Sequence, residues 1–274
     1  MLEALGQTIA LHLYGETDWE AGIAAAQSAG FGGLQVPVSI PRFAVEEWPE
    51  EQLKILKGRL LNSGITLSLD CSQRIAALWL PRDISRGVIT YYGRLINAAE
   101  RLGAWAIVAS VGCAEPDAST GSPWADWPDT EIARLRNLLQ ANLMRLAGLA
   151  AGRCEVCLTT ADMNKDVWAV AAPLIEEGYL RLCVELTPAG GLSANPDCRT
   201  LLARHMNRVR MVRIAADVTG AAVLQPILEE LLRLEVREWV VVARDAAIAA
   251  RLRDLLGASL DQAWTAVTGG QAPP

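Results

Sequence analysis

The chain has 274 residues, of which 51% are hydrophobic and 20% charged, enough apolar material for a large core and too much for a disordered segment. Lys and Arg total 25 against 31 Asp and Glu, so the net charge is -6. That balance lacks the basic footprint that sequence-independent nucleic-acid binding requires, and no nucleic-acid partner is expected. No apolar run reaches the ~18 residues of a membrane span, so no membrane partner is expected either. Met1–Gly15 carries neither a basic start nor a small-residue cleavage pattern, and the expectation is a cytoplasmic protein.

Short apolar runs alternate with amphipathic segments along the whole chain. A first strand over Gln7–Leu13 precedes a helix over Asp18–Ala29. Gly33–Pro37 and a helix over Val45–Asn62 follow, then Ile65–Cys71 and Ser85–Leu102. Next come Trp105–Val111 with Asp129–Ala151, and Cys154–Thr159 with Asp166–Glu177. Arg181–Leu186 precedes Asp197–His205, and Val209–Ile214 precedes Ala221–Leu234. The eighth strand, Glu238–Ala243, leads to helices over Asp245–Leu256 and Ser259–Val267. Strand starts fall 26 to 49 residues apart, room for a strand, a helix and two loops each time. The strands are near-continuous apolar runs, as in a parallel sheet covered on both faces.

Asp18, Asp129, Asp166 and Asp245 stand at helix starts, where carboxylates accept orphan N–H groups. Gly30, Gly64, Gly103, Gly152, Gly178 and Gly257 follow helices, where a left-handed residue is often needed. Eight such units without a linker predict one α/β domain over residues 1–274, a (β/α)8 barrel with a frayed tail at Gly269–Pro274. A doubly wound sheet would call for a glycine-rich phosphate loop after the first strand, where Tyr14-Gly15-Glu16-Thr17 stands instead. Cys154 and Cys157 have C-x-x-C spacing. Within a strand, however, residues three apart point to opposite faces, so a redox or zinc pair is not expected.

In a barrel of this kind ligands bind at the C-terminal ends of the strands. The polar residues there are His12 and Tyr14, then Gln35, Ser39 and Arg42, then Asp70, Ser72, Gln73 and Arg74. Ser110 and Glu115 follow on strand 4, Thr159, Thr160 and Asp162 on strand 5, and Glu185 and Thr187 on strand 6. Strands 7 and 8 supply Arg213, Asp217, Arg244 and Asp245. The connection Gly112–Pro128 is long, polar and rich in Gly and Pro, and carries Trp124 and Trp127.

Four segments resemble the xylose-isomerase-like TIM barrels, the superfamily of sugar isomerases, epimerases and endonuclease IV. They are Ala29-Gly30-Phe31-Gly32-Gly33-Leu34-Gln35-Val36, Leu56–Leu69, Ala98–Ala104 with Val108–Gly112, and Val209–Asp217. With the eight-unit spacing the likeness covers Gln7 to about Val267. The resemblance implies a divalent metal held by acids and a histidine on strands 5 to 8. Residue by residue, the strand 5 ligand falls on Thr159 and the strand 6 acid on Glu185. The histidine after that acid falls on Pro188. The strand 7 histidine falls on Arg213 or Ile214, and the strand 8 acid on Ala243 or Arg244. A further acid and histidine fall on Gln35 and Ser110. A degenerate site without metal or other cofactor is therefore expected.

Arg213 and Arg244 put fixed cations where the resemblance implies a metal, and a guanidinium can bind an oxyanion bidentately. They can also be rim residues that neutralise Glu185, Asp217 and Asp245, since barrel mouths collect charged residues structurally as well as functionally. The candidate catalytic residues are Glu185, His12 and Arg213; Gln35, Asp70, Thr159, Arg244, Trp124 and Trp127 are the candidate substrate contacts. His205, near the end of the sixth helix beside Arg204 and Arg208, reads as a solvated residue favoured by the helix dipole. Two functions are consistent with this set. One is a divergent sugar isomerase or epimerase acting on a small sugar or sugar acid. The other is a catalytically inactive barrel that binds a small anionic or sugar-like ligand or a protein. A homodimer is compatible with either.

Overall fold

The computed structural model describes residues 7–12, 18–38, 40–72, 82–111, 128–161, 163–186, 192, 199–215, 225, 228–234, 236–243 and 246–269. The strands are β1 (Thr8–His12), β2 (Gly33–Pro37), β3 (Thr66–Asp70), β4 (Ala106–Ala109), β5 (Glu155–Thr159), β6 (Arg181–Leu186), β7 (Val209–Ala215) and β8 (Glu238–Val242). All neighbours pair in parallel, and β8 closes on β1. The expected (β/α)8 barrel is therefore the fold. The helices are α1 (Trp19–Ser28), α2 (Glu50–Ser63), α3 (Arg82–Leu102), α4 (Asp129–Ala150), α5 (Lys165–Glu176), α6 (Arg199–Arg204) and α7 (Ala246–Thr268), with further helical residues at 228–231 between β7 and β8.

Local chemistry sets the boundaries. Asp18 caps α1 by accepting from the Ala21 N–H at 2.9 Å. Gly64 ends α2 in the left-handed region at φ 68°, a conformation that costs glycine little. Two expectations fail. The first turns expected for the second helix, around Val45–Glu47, are a separate 3-10 turn, and α2 starts only after Pro49. Gly257 does not end a helix: α7 runs through it, joining the two segments expected to be separate. A glycine costs a helix interior about 1 kcal/mol, less than the burial of Leu252, Leu256 and Leu260 on one continuous face returns.

Strand alternation sorts the side chains into two cores. Leu67, Leu69, Val212 and Ile214 point outward into the large core between sheet and helices. Ala10, Ala106, Val108, Cys157, Cys183, Met211 and Val240 fill the barrel interior. Cys157 lies in the interior while Cys154 packs against the outer core, and both are free thiols. At β6–β7 the register shifts: Leu182 pairs with Val209, but Cys183 pairs with Met211. Arg210 is the extra residue of this irregularity. Without it Glu185 would lie beside Val212; with it, Glu185 lies beside Arg213.

The N-terminal end of the interior holds a buried acid. Glu238, 1% exposed, accepts from Ser68 Oγ at 2.9 Å and from the Trp105 indole N–H. Burial pushes its carboxyl up to about 7, against the opposing hydrogen bonds from Ser68 and Trp105 and the charge of Arg237. A carboxyl neutral in the fold and ionised in the unfolded chain gives stability that is complete below about 4.5. That stability declines as pH rises to about 7, by up to about 3 kcal/mol. Glu238→Gln should therefore gain urea resistance relative to the parent as pH is raised from about 5 to about 8. Parallel profiles for the two proteins would show that Glu238 is not held neutral.

Candidate functional site

Five strands deliver polar side chains to the C-terminal end of the interior. Asp70 ends β3, and both of its oxygens have partners. Oδ1 accepts from the Ser72 N–H at 2.9 Å and the Ser72 hydroxyl at 2.6 Å, and lies 2.8 Å from Arg213 Nη2. Oδ2 accepts from His12 Nε2, the last residue of β1, at 3.0 Å. Arg213 Nε donates to Gln35 Oε1 at 3.1 Å, which fixes that amide with its oxygen toward the guanidinium. The Gln35 NH2 in turn donates to Met211 Sδ at 2.9 Å. Arg213 Nη1 donates to Ser72 Oγ at 3.3 Å and lies 3.7 Å from Glu185 Oε1.

The electrostatics follow from burial. Arg213 is 5% exposed and Asp70 1%, so each charge lacks water and relies on the other. Burial alone would raise the Asp70 pKa, but the guanidinium and the hydrogen bonds from His12 and Ser72 outweigh it. They hold the carboxyl well below the usual carboxylate range. Burial lowers the His12 pKa against the pull of Asp70, so the imidazole is neutral at pH 7. Glu185, whose side chain is 43% exposed, is the solvent-reaching acid of the group. With Asp70 balancing Arg213, the cluster keeps one net negative charge, and it lies on Glu185.

The structure thus brings together His12, Gln35, Asp70, Glu185 and Arg213. On β7, Arg213 faces the interior and Ile214 the outer core. Thr159 is buried at the end of β5, but among the described residues no hydrogen bond joins it to the cluster. Arg244, Trp124 and Trp127 lie outside the described residues, as do Tyr14, Ser39, Gln73, Arg74, Glu115, Asp162, Thr187, Pro188, Asp217 and Asp245. His205 corrects an expectation. It is 5% exposed rather than solvated, because its ring stacks on buried Trp168 at 5.6 Å between centroids. Ser72 was legible only as a polar residue after strand 3. The Asp70-Cys71-Ser72 turn, with the side chain of residue i taking the N–H of i+2, was the available signal.

Several solved structures superpose on this chain over nearly its whole length. A D-tagatose 3-epimerase-like protein superposes with a TM-score of 0.70 at 9% identity, over 96% of this chain and 100% of that one. The likeness is one of fold, a (β/α)8 barrel. The 3-keto-D-glucoside 4-epimerase YcjR of E. coli gives 0.66 at 16% identity, over 92% and 98% of the two chains. The IOLI protein, solved with a bound zinc atom, gives 0.63 at 9% identity, over 95% and 99%. No protein-family model matches the sequence, and no curated protein matches it.

Among the described residues at the mouth of this barrel the donor set does not suit a divalent ion. Hard cations want several free oxygens. Asp70 has given both of its own to Ser72, His12 and Arg213, and any ion between Asp70 and Glu185 would meet the guanidinium. Among the described residues, no group of three or more His, Cys, Asp or Glu could hold a metal. Removing one partner of a buried pair strands the other charge, at a cost of about 3–5 kcal/mol. Asp70→Asn should lose about that much in urea unfolding, and Asp70→Asn with Arg213→Met should recover a large part of it. Additive losses in the double variant would show that the two charges are not coupled.

Proposed function

We propose that the chain is a divergent sugar isomerase- or epimerase-like barrel. It takes a small sugar or sugar acid at the C-terminal mouth and works without a divalent metal. The observation that carries this reading is the Arg213 guanidinium, held in the cluster by Asp70 and Gln35 yet only loosely opposed by Glu185 at 3.7 Å. That gap exceeds hydrogen-bond length. An oxygen of a bound carbonyl compound can take the Nη1 N–H there, and the carboxylate of Glu185 is then released from the cation.

The chemistry assigned is proton transfer at a carbon next to a carbonyl. Glu185 takes the proton, while Arg213 stabilises the negative oxygen that develops, as a preorganised cation does in a cleft shielded from water. Asp70 and Ser72 hold the guanidinium in place. His12, neutral and bonded to Asp70, positions that carboxylate. Gln35 supports the same reading: its amide oxygen accepts from Arg213 without adding a third negative charge.

A second reading, an inactive barrel that binds a small ligand or a protein partner, draws on the same cluster. His12, Gln35, Asp70 and Arg213 are each at most 5% exposed and are joined to one another by hydrogen bonds and an ion pair.

The test is incubation with ketoses and sugar acids in D2O, followed by NMR. The parent should exchange a carbon-bound proton for deuterium without added metal and after chelation, and Glu185→Gln should slow the exchange about 10²-fold or more. Exchange that needs stoichiometric metal would overturn the metal-free part. Ligand-induced thermal stabilisation without any exchange would decide for the inactive reading.

A further inference from the structure

The opposite, N-terminal end of the barrel has its own cavity, of about 290 Å³, at the lower edge of the volumes that hold small ligands. The first residues of two strands, Thr8 and Thr66, and the residues immediately before β4 and β8, Trp105 and Arg237, bound it from the barrel side. Lys57 and Leu61 of α2 bound it from the other. None of these residues belongs to the mouth cluster.

Three properties of the wall fit one kind of ligand. The Trp105 indole is a fixed aromatic platform, because its N–H is tied to buried Glu238 and cannot turn away. Leu61 is 71% exposed, an apolar lip that water covers only at a cost. Two cations also line the space. The Arg237 guanidinium lies 4.8 Å from the centroid of Trp105, and Lys57 makes no ion pair among the described residues. In a chain of net charge -6, a pair of cations beside an aromatic face attracts an anion that also has a flat apolar body.

We propose that this cavity binds a small aryl carboxylate, its ring against Trp105 and Leu61 and its carboxylate on Lys57 and Arg237. The apolar share of the wall sets it apart from a site for inorganic phosphate, which would leave Leu61 and the indole face uncovered. The cavity lies at the far end of the barrel from Glu185, so its occupancy does not depend on the chemistry assigned to the mouth.

Titration of the full chain with 2-naphthoate, followed by calorimetry and tryptophan emission, tests the proposal. Saturable binding at up to millimolar concentration is expected. Lys57→Gln with Arg237→Gln, the first half-buried and the second exposed, should weaken it at least tenfold, and Trp105→Phe should remove most of the emission change. Glu185→Gln should leave the affinity unchanged. Three results would overturn the proposal: no saturable binding to the parent, equal affinity for inorganic phosphate, or loss of binding in Glu185→Gln with the double variant unaffected.

Discussion

The ion pair between Asp70 and Arg213 is the constraint on which the upper half of the barrel depends. Two charges removed from water cost several kcal/mol each before their attraction is counted. They are tolerated where partners replace most of the lost water. The structure supplies these partners: Ser72 through its N–H and hydroxyl, His12 through Nε2, and Gln35 through its amide oxygen, while Arg213 Nη2 is held by the ion pair alone. Each of those residues is thereby fixed in position by a charge it does not itself carry. Glu185 is the exception. It is beyond hydrogen-bond distance from the guanidinium and open to solvent, so it is the member of the group whose interactions a ligand can change at little cost.

The interior is asymmetric along its axis. The C-terminal end carries a compensated charge pair with one acid left over. At the N-terminal end Glu238 accepts hydrogen bonds from Ser68 and Trp105 but has no ion-pair partner among the described residues, and its neutralisation is by protonation. Between them lie small and sulfur-containing side chains, Ala10, Ala106, Cys157, Cys183 and Met211, which fill a narrow barrel without polar groups to satisfy. Met211 also reaches the upper network, where its sulfur accepts from Gln35. The two ends are thus separated by an apolar plug, which keeps them out of hydrogen-bonding contact but does not screen their charges: Arg213 still lowers the Glu238 pKa across it.

Much of the architecture was legible in the amino-acid order. Gly33–Pro37 and Arg181–Leu186 appear with the expected bounds, and the other strands differ by one or two residues at the ends. Apolar runs buried on both faces leave a strong signal, and Asp18 and Gly64 mark real helix ends. Gly257 misled because the packing of α7 overrides a local preference worth about 1 kcal/mol. His205 misled because its neighbours in sequence are charged while its neighbour in space is Trp168. Glu238 stands at an inward-facing position of β8, but an acid at a strand start reads as solvated until the barrel closes over it.

The sequence by itself determined the eight-fold repeat and the set of polar residues at the strand ends, because both follow from periodicity and from the two-residue alternation of strands. It left open which of Arg213 and Ile214 faces inward. That choice depends on the register shift at Leu182 and Cys183, which arises only when β6 and β7 pair. It also left open which acid would take the arginine. Asp70 lies 143 residues before Arg213, and no local rule links them. The pairing is decided by barrel closure, which brings β1, β2, β3, β6 and β7 to one level and excludes the water that would otherwise have solvated each charge alone.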